Sequence, residues 1–220
     1  SETNYPGEIA SDYGQSEGRF GGNAVSLQFQ HFSRYWIVNA MYEDLSPGFR
    51  ADYGFVPRVD TRTASATVFR QFWGQPKGWF NLIRLGVMGE AVWDHAGTLT
   101  DRGLTLGLVY QGNPESVVKL HANFLRTFYD GQYFDTAFGQ AIGRIRPFDG
   151  AEVGVQAMAG QTIDYANSRL AQGLSVGPNL SLTVFRRLNL AASHAYERLS
   201  FHGDTIYIAN LSQLKLVWNF

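Results

Sequence analysis

Cysteine is absent from this chain, which excludes a disulfide scaffold and thiolate metal sites. Charge is scarce: Asp, Glu, Lys and Arg supply 17% of the residues, against roughly 25% in ordinary soluble domains. The formal net charge of -1 offers no basic surface, so nucleic acid is not expected as a partner. No run approaches the ~18 consecutive apolar residues that a membrane-crossing helix needs. The opening stretch, "SETNYPGEIASDYG", does not have the pattern of a signal peptide. Residues 1–19 read as an extracellular loop or linker, following a removed signal or lying inside a longer chain.

Glycine, with 24 residues, and aromatic side chains, at 15%, are plentiful, and they are set in a pattern of period two. In "GLSVGPNLSLTV" (173–184), Leu174, Val176, Pro178, Leu180, Leu182 and Val184 alternate with Gly, Ser, Asn and Thr. Side chains two apart on a strand share a face, so one face is greasy and the other small and polar. The same alternation runs through 79–93, 102–110, 117–125, 151–165 and 204–220, and less regularly through 20–31, 34–43, 58–73, 132–145 and 188–200. About eleven strands are therefore expected between residues 20 and 220, each bounded by turn residues.

The polar set is the informative one. A soluble β-barrel or sandwich turns its polar face to water and fills it with Lys and Glu. Here that face is mostly Gly, Ser, Thr, Asn and Gln, which suits the inside of a transmembrane barrel whose apolar face meets lipid. On this reading Arg84, Glu90, Lys119, His121, Asn123, Glu152, Gln156 and Lys215 project into the lumen. Trp79 and Trp93 bracket one strand, roughly 35 Å apart for a strand tilted near 40°. With Tyr110, Tyr165, Trp218 and Phe220 they are expected at the membrane interfaces, where aromatic rings form belts. The chain ends "LKLVWNF", alternating down to an aromatic final residue, and such an ending resembles the assembly signal of bacterial outer-membrane barrels.

Short turns at 73–79, 111–116, 146–151 and 185–189 are expected to alternate with longer connections at 43–58, 93–103, 126–134 and 164–172, the asymmetry of an outer-membrane barrel. An odd strand number departs from the even numbers of bacterial single-chain barrels, so the chain is expected to be part of a larger barrel. The aromatic-rich loop around Phe49, Arg50, Tyr53, Phe55 and Arg58 is a candidate plug for the lumen.

The block "YEDLSPGFRADYGFVPRVDTR" (42–62), with "SHAYERLSF" (193–201) and "TIYIANLSQLKLVWNF" after it, resembles the C-terminal region of a family of large bacterial outer-membrane proteins. Those proteins join an N-terminal domain similar to family 9 carbohydrate-binding modules to a C-terminal β-barrel. The resemblance implies a bacterial outer-membrane address and supplies no catalytic residues.

Other chemistry is thin. Asp94 and His95, and likewise Ser193 and His194, are sequence neighbours and so point to opposite faces of a strand. The first pair reads as a solvated loop pair rather than a catalytic one, and the second as a weak match to a hydrolase nucleophile and base. His31, His121, His194 and His202 have no metal-ligand spacing, and no phosphate-binding glycine loop precedes a helix. The expectation is a non-enzymatic all-β, up-and-down antiparallel barrel of the outer-membrane type, without cofactor. Its expected partners are outer-membrane lipid, lipopolysaccharide and other envelope proteins. It would act as an anchor or structural and binding subunit with a plugged lumen; a porin-like channel for polar solutes such as sugars is the alternative and an outer-membrane hydrolase the third reading.

Overall fold

The computed structural model describes residues 21–50, 58–75, 77–185 and 187–219. Among these, eleven strands form one sheet: β1 (Ala24–Phe32), β2 (Trp36–Leu45), β3 (Thr61–Trp73), β4 (Phe80–Trp93), β5 (Leu99–Gly112), β6 (Ser116–Tyr129), β7 (Gln132–Ile145), β8 (Ala151–Asp164), β9 (Arg169–Val184), β10 (Leu188–Phe201) and β11 (Asp204–Trp218). Each strand pairs antiparallel with its sequence neighbours, so the order in space is the order in the chain. The sheet is open, and β1 and β11 are its edges. Since both are odd-numbered in an up-and-down sheet, these edge strands run in the same direction.

Register turns the alternation of single strands into two continuous faces, because residues directly opposed across a ladder share a side of the sheet. Val68 lies opposite Val87, Val87 opposite Leu106, Leu106 opposite Ala122 and Ala122 opposite Gly139. The row then resumes through Ala159, Leu174 and Arg198 to Ile208. Among the described residues of this apolar face, Asp, Glu, Lys and Arg fall only within four residues of a strand end, as Arg70, Arg102, Arg126, Asp135 and Arg198 do. The opposite face carries Thr67, Arg84, Glu90, Thr105, Lys119, Asn123, Gln156 and Ser181.

Burial runs against the pattern of a water-soluble domain. The polar face holds most of the buried positions, with Thr61, Gln71, Asn123, Thr136 and Asp164 all nearly inaccessible, whereas Leu106 and Phe124 of interior strands are each 49% exposed on the apolar face. Crowding on one side and exposure on the other is what a coiled, twisted sheet produces on its inner and outer surfaces. On the inner side Phe69 lies over two glycines. A Cβ at Gly86 would run into the Phe69 ring and the Val68 carbonyl, and one at Gly107 would come 3.2 Å from the same ring. Glycine at 86 thus makes room for an aromatic cross-strand neighbour.

The connections correct one expectation. Only the β2–β3 connection is long; β6 and β7 are joined by Asp130 and Gly131, β10 and β11 by His202 and Gly203, and β8 and β9 by residues 165–168. The stretches read as loops at 126–134 and 164–172 are largely strand. Aromatic and charged residues there, Arg126, Phe128 and Tyr133 among them, look loop-like in a composition count, yet they pair across a tight hairpin. Loop length therefore does not distinguish the two ends. The end holding the β2–β3, β4–β5, β6–β7, β8–β9 and β10–β11 connections is called the hairpin end below, and the other the turn end.

Candidate functional site

The ladder register brings Arg84, Glu90, Lys119, His121, Asn123, Glu152, Gln156 and Lys215 to one side of the sheet, the polar one. Several are tied down. Arg84 Nε donates to Gln71 Oε1 at 2.8 Å, and Gln71 Nε2 donates to the Ser33 carbonyl at 3.0 Å. Thr105 donates to Asn123 Oδ1 at 2.9 Å. Glu152 accepts from Arg146 Nε at 2.8 Å, and Arg146 also reaches Glu115 at 3.2 Å. Glu90 and Lys119 have no ion-pair partner among the described residues. A strand that carries single charges and amides between glycines leaves space along the sheet surface: a depression of about 570 Å³ runs over Ser65, Thr67, Met88, Glu90 and Thr105.

The expected interface aromatics divide between the two ends. Trp79 precedes β4, and a register irregularity between Phe80 and Leu82 breaks the simple alternation that set it on the face of Ile83. Its ring is nevertheless stacked on Tyr110, centroids 5.9 Å apart, and the Tyr110 hydroxyl donates to the Trp79 carbonyl at 2.6 Å. With Trp218 these rings mark the turn end. Trp93 closes β4 at the hairpin end, and Tyr165 there packs edge-on against Tyr129 at 5.0 Å. Alternation missed further rings of the same two levels: Trp36, Phe72 and Trp73 at the turn end, where the Arg70 guanidinium lies 4.9 Å from the Trp36 ring, and Phe128 and Tyr133 at the hairpin end. Phe220 lies outside the described residues.

Of the loop-plug candidates, Tyr53 and Phe55 also lie outside the described residues. Phe49 donates its amide to the Ser46 carbonyl at 3.0 Å, and Ser46 in turn is bonded to Asn23 ahead of β1. Arg50 is exposed. Arg58 reaches past β4 to Asp101 of β5 at 2.9 Å, so the return of this loop is anchored on the polar side.

His95 finds partners that its sequence neighbours do not reveal. Its Nδ1 lies 2.9 Å from Asp60 Oδ1 and its Nε2 2.9 Å from Asp44 Oδ1, while Asp44 also binds Arg62. Asp60 holds a positive φ of 60°, a conformation Asp tolerates better than most residues. Both ring nitrogens are occupied by carboxylates of the protein rather than turned to solvent. The cluster is thus a clamp joining the ends of β2 and β4 to the entry of β3. Asp94 turns elsewhere: the Thr98 amide, 2.7 Å from its Oδ1, is the chief cause holding its carboxyl below the ordinary value.

Ser193 and His194 do lie on opposite faces, and His194 instead meets Ser212 across the ladder, Nδ1 to Oγ 2.8 Å, on the apolar side. No carboxylate stands behind this imidazole among the described residues, so the pair has no third group to orient it as a base. No group of three or more His, Asp or Glu among the described residues has the geometry to hold a metal ion. No protein-family model matches the chain, and comparison with curated proteins finds no match.

Proposed function

We infer that the sheet is part of a transmembrane β-barrel, with its apolar face in lipid and its polar face turned inward. The observation that carries this reading is the inversion of burial: buried Thr, Gln and Asn on one face, exposed Leu, Val and Phe on the other, with charge on the apolar face confined to the strand ends. Water would penalise so large an apolar surface. Lipid would welcome it, provided the open edges are closed, because unpaired strand edges in hydrocarbon cost several kcal/mol per group. Direct pairing of β1 with β11 would be parallel, so an odd number of further strands is needed for an all-antiparallel closure. Aromatic rings at both ends of the sheet fit the two interfaces.

On this reading the address is the bacterial outer membrane, in line with the family resemblance, and the first partner is its lipid, lipopolysaccharide included. The role we assign is that of an anchor or structural subunit of an envelope assembly, its lumen occupied by side chains, with Arg58 held to Asp101 on the polar face. A second reading, a channel for polar solutes, is favoured by Glu90 and Lys119, which stand on the polar face without ion-pair partners among the described residues. The test of the membrane reading is quenching in bilayers. Variants retaining only Trp79 or only Trp93 should be quenched more strongly by lipids brominated near the headgroup than by lipids brominated at the chain end. Strong quenching by aqueous iodide with neither lipid effective would overturn it.

A further inference from the structure

At the hairpin end of the apolar face two arginines face each other across a ladder. Arg102 of β5 is directly opposite Arg126 of β6, and Arg126 is directly opposite Asp135 of β7. Asp135 is taken up by Arg126, which grips it through two nitrogens, Nε to Oδ1 at 2.6 Å and Nη2 to Oδ2 at 2.5 Å. Arg102 is exposed and donates no hydrogen bond among the described residues, although it is close enough to Asp135 to interact with its charge. Two guanidinium groups therefore share one carboxylate. Like charges directly opposed across a sheet are unfavourable, and on an otherwise apolar face there is little else to offset them.

The surroundings form a compartment. On the hairpin side, the Tyr133 hydroxyl donates to the Leu99 carbonyl at 2.9 Å, so this side chain reaches from β7 past β6 to β5. On the other side stand Leu104 and Phe124, also opposed. Laterally the sheet opens: the β7–β8 ladder stops at Phe138 opposite Gly160, and beyond it the Ala137 amide donates to the Gln161 side chain instead of to a strand. Gly160, at φ 139°, makes this parting possible, since a Cβ there would press within 2.5 Å of the Ala137 carbonyl. The result is a depression of about 360 Å³ that runs from Arg102 and Arg126 to Leu104, Phe124 and Gln161. It has cationic forks at the hairpin end and apolar walls toward the middle of the sheet.

We propose that this depression binds the phosphate of a membrane lipid, whose headgroup bridges Arg102 and Arg126 while its first acyl carbons lie on Leu104 and Phe124. The inference rests on the membrane reading above. Guanidinium forks match phosphate oxygens in bidentate geometry, and one anionic phosphate supplies the charge that Asp135 alone does not. A free phosphate ion would satisfy the arginines but would leave the two apolar side chains facing water.

The experiment uses the full chain reconstituted in phosphatidylcholine bilayers, with spin-labelled phosphatidic acid and spin-labelled phosphatidylcholine as probes. Electron spin resonance measures the motionally restricted fraction of each. A preference of about fivefold for phosphatidic acid is expected, which is what about 1 kcal/mol for one arginine near a charged surface amounts to, Arg126 being already committed to Asp135. Arg102→Gln should abolish it, Arg102→Met should do the same, Arg102→Lys should retain part of it, and Arg70→Gln at the turn end should leave it unchanged. A chain that inserts but shows no preference, or one that Arg102→Gln does not alter, overturns the site and leaves the membrane reading standing. Failure to insert at all overturns both. If inorganic phosphate at equal concentration removes the preference, the site is one for soluble anions and the lipid assignment falls.

Discussion

Leu106→Arg is the sharpest perturbation of the proposed membrane face. Leu106 stands in the middle of the 14-residue β5, six residues from Gly112 and seven from Leu99, opposite Val87 and Ala122. At about 3.3 Å per residue and a tilt near 40°, six residues amount to roughly 15 Å of depth, which is half of a ~30 Å hydrocarbon core. An arginine there lies at the midplane, too deep to reach either interface easily, and should destabilise the protein by about 2–4 kcal/mol. If the face met water instead, a change at a half-exposed leucine would stay within about 0.5 kcal/mol. Ser181→Arg is the matched control: it introduces the same group on the polar face, opposite Glu152, where an opposite-charge pair contributes about 0.2–1 kcal/mol in its favour. Urea unfolding in lipid vesicles, read as a change of midpoint at constant slope, measures both. A Leu106→Arg variant as stable as the parent, or a Ser181→Arg variant just as damaged, would refute the assignment of faces.

Other outcomes follow from the same geometry. The plugged-lumen reading expects no steady conductance in a planar bilayer; a conductance whose cation selectivity rises in Lys119→Glu, with the unfolding midpoint unchanged, would establish the channel instead. Gly86→Ala should cost about 1–3 kcal/mol, because the new methyl overpacks against Phe69 and the Val68 carbonyl. Gly89→Ala, whose nearest neighbour would be 3.9 Å away, should be close to neutral, and equal effects at the two sites would contradict the packing described. The Asp94 carboxyl is depressed by its bond from the Thr98 amide, so the contact contributes above the ordinary Asp value of 3.8 and is lost only as pH falls through the lower folded value. The Thr98 amide resonance should accordingly titrate below pH 3.8; a midpoint at or above it would show that the bond does not form in solution.

The places where sequence reasoning held and failed have a common physical basis. Strand bounds such as 132–145, and 151–164 to within one residue, were legible because a half-buried strand writes its two environments into alternate residues. Loops were not, since tight hairpins here are rich in Tyr, Phe and Arg, and neither polarity nor bulk separates such a hairpin from a long connection. Arg126 and Phe128 illustrate it: they read as loop residues and are strand residues on the apolar face. Trp79 illustrates the effect of a single irregularity, because one extra residue at 80–82 interrupts a parity count.

By itself, the sequence determined the all-β character of the chain, an expectation of about eleven strands, and which residues of the regularly alternating strands keep company on one face. These are local properties, set by the two-residue period of extended backbone. Only the tertiary structure decided how the strands are registered and what each end of the sheet brings together. The cross-strand meeting of Arg102 with Arg126, of His194 with Ser212, and of His95 with Asp44 and Asp60 depends on pairing between segments up to 51 residues apart, and no period within one strand encodes it. The parting of β7 from β8 at Gly160 is of the same kind. A glycine in a strand leaves room for many conformations, and the surrounding ladder selected the one that opens the sheet.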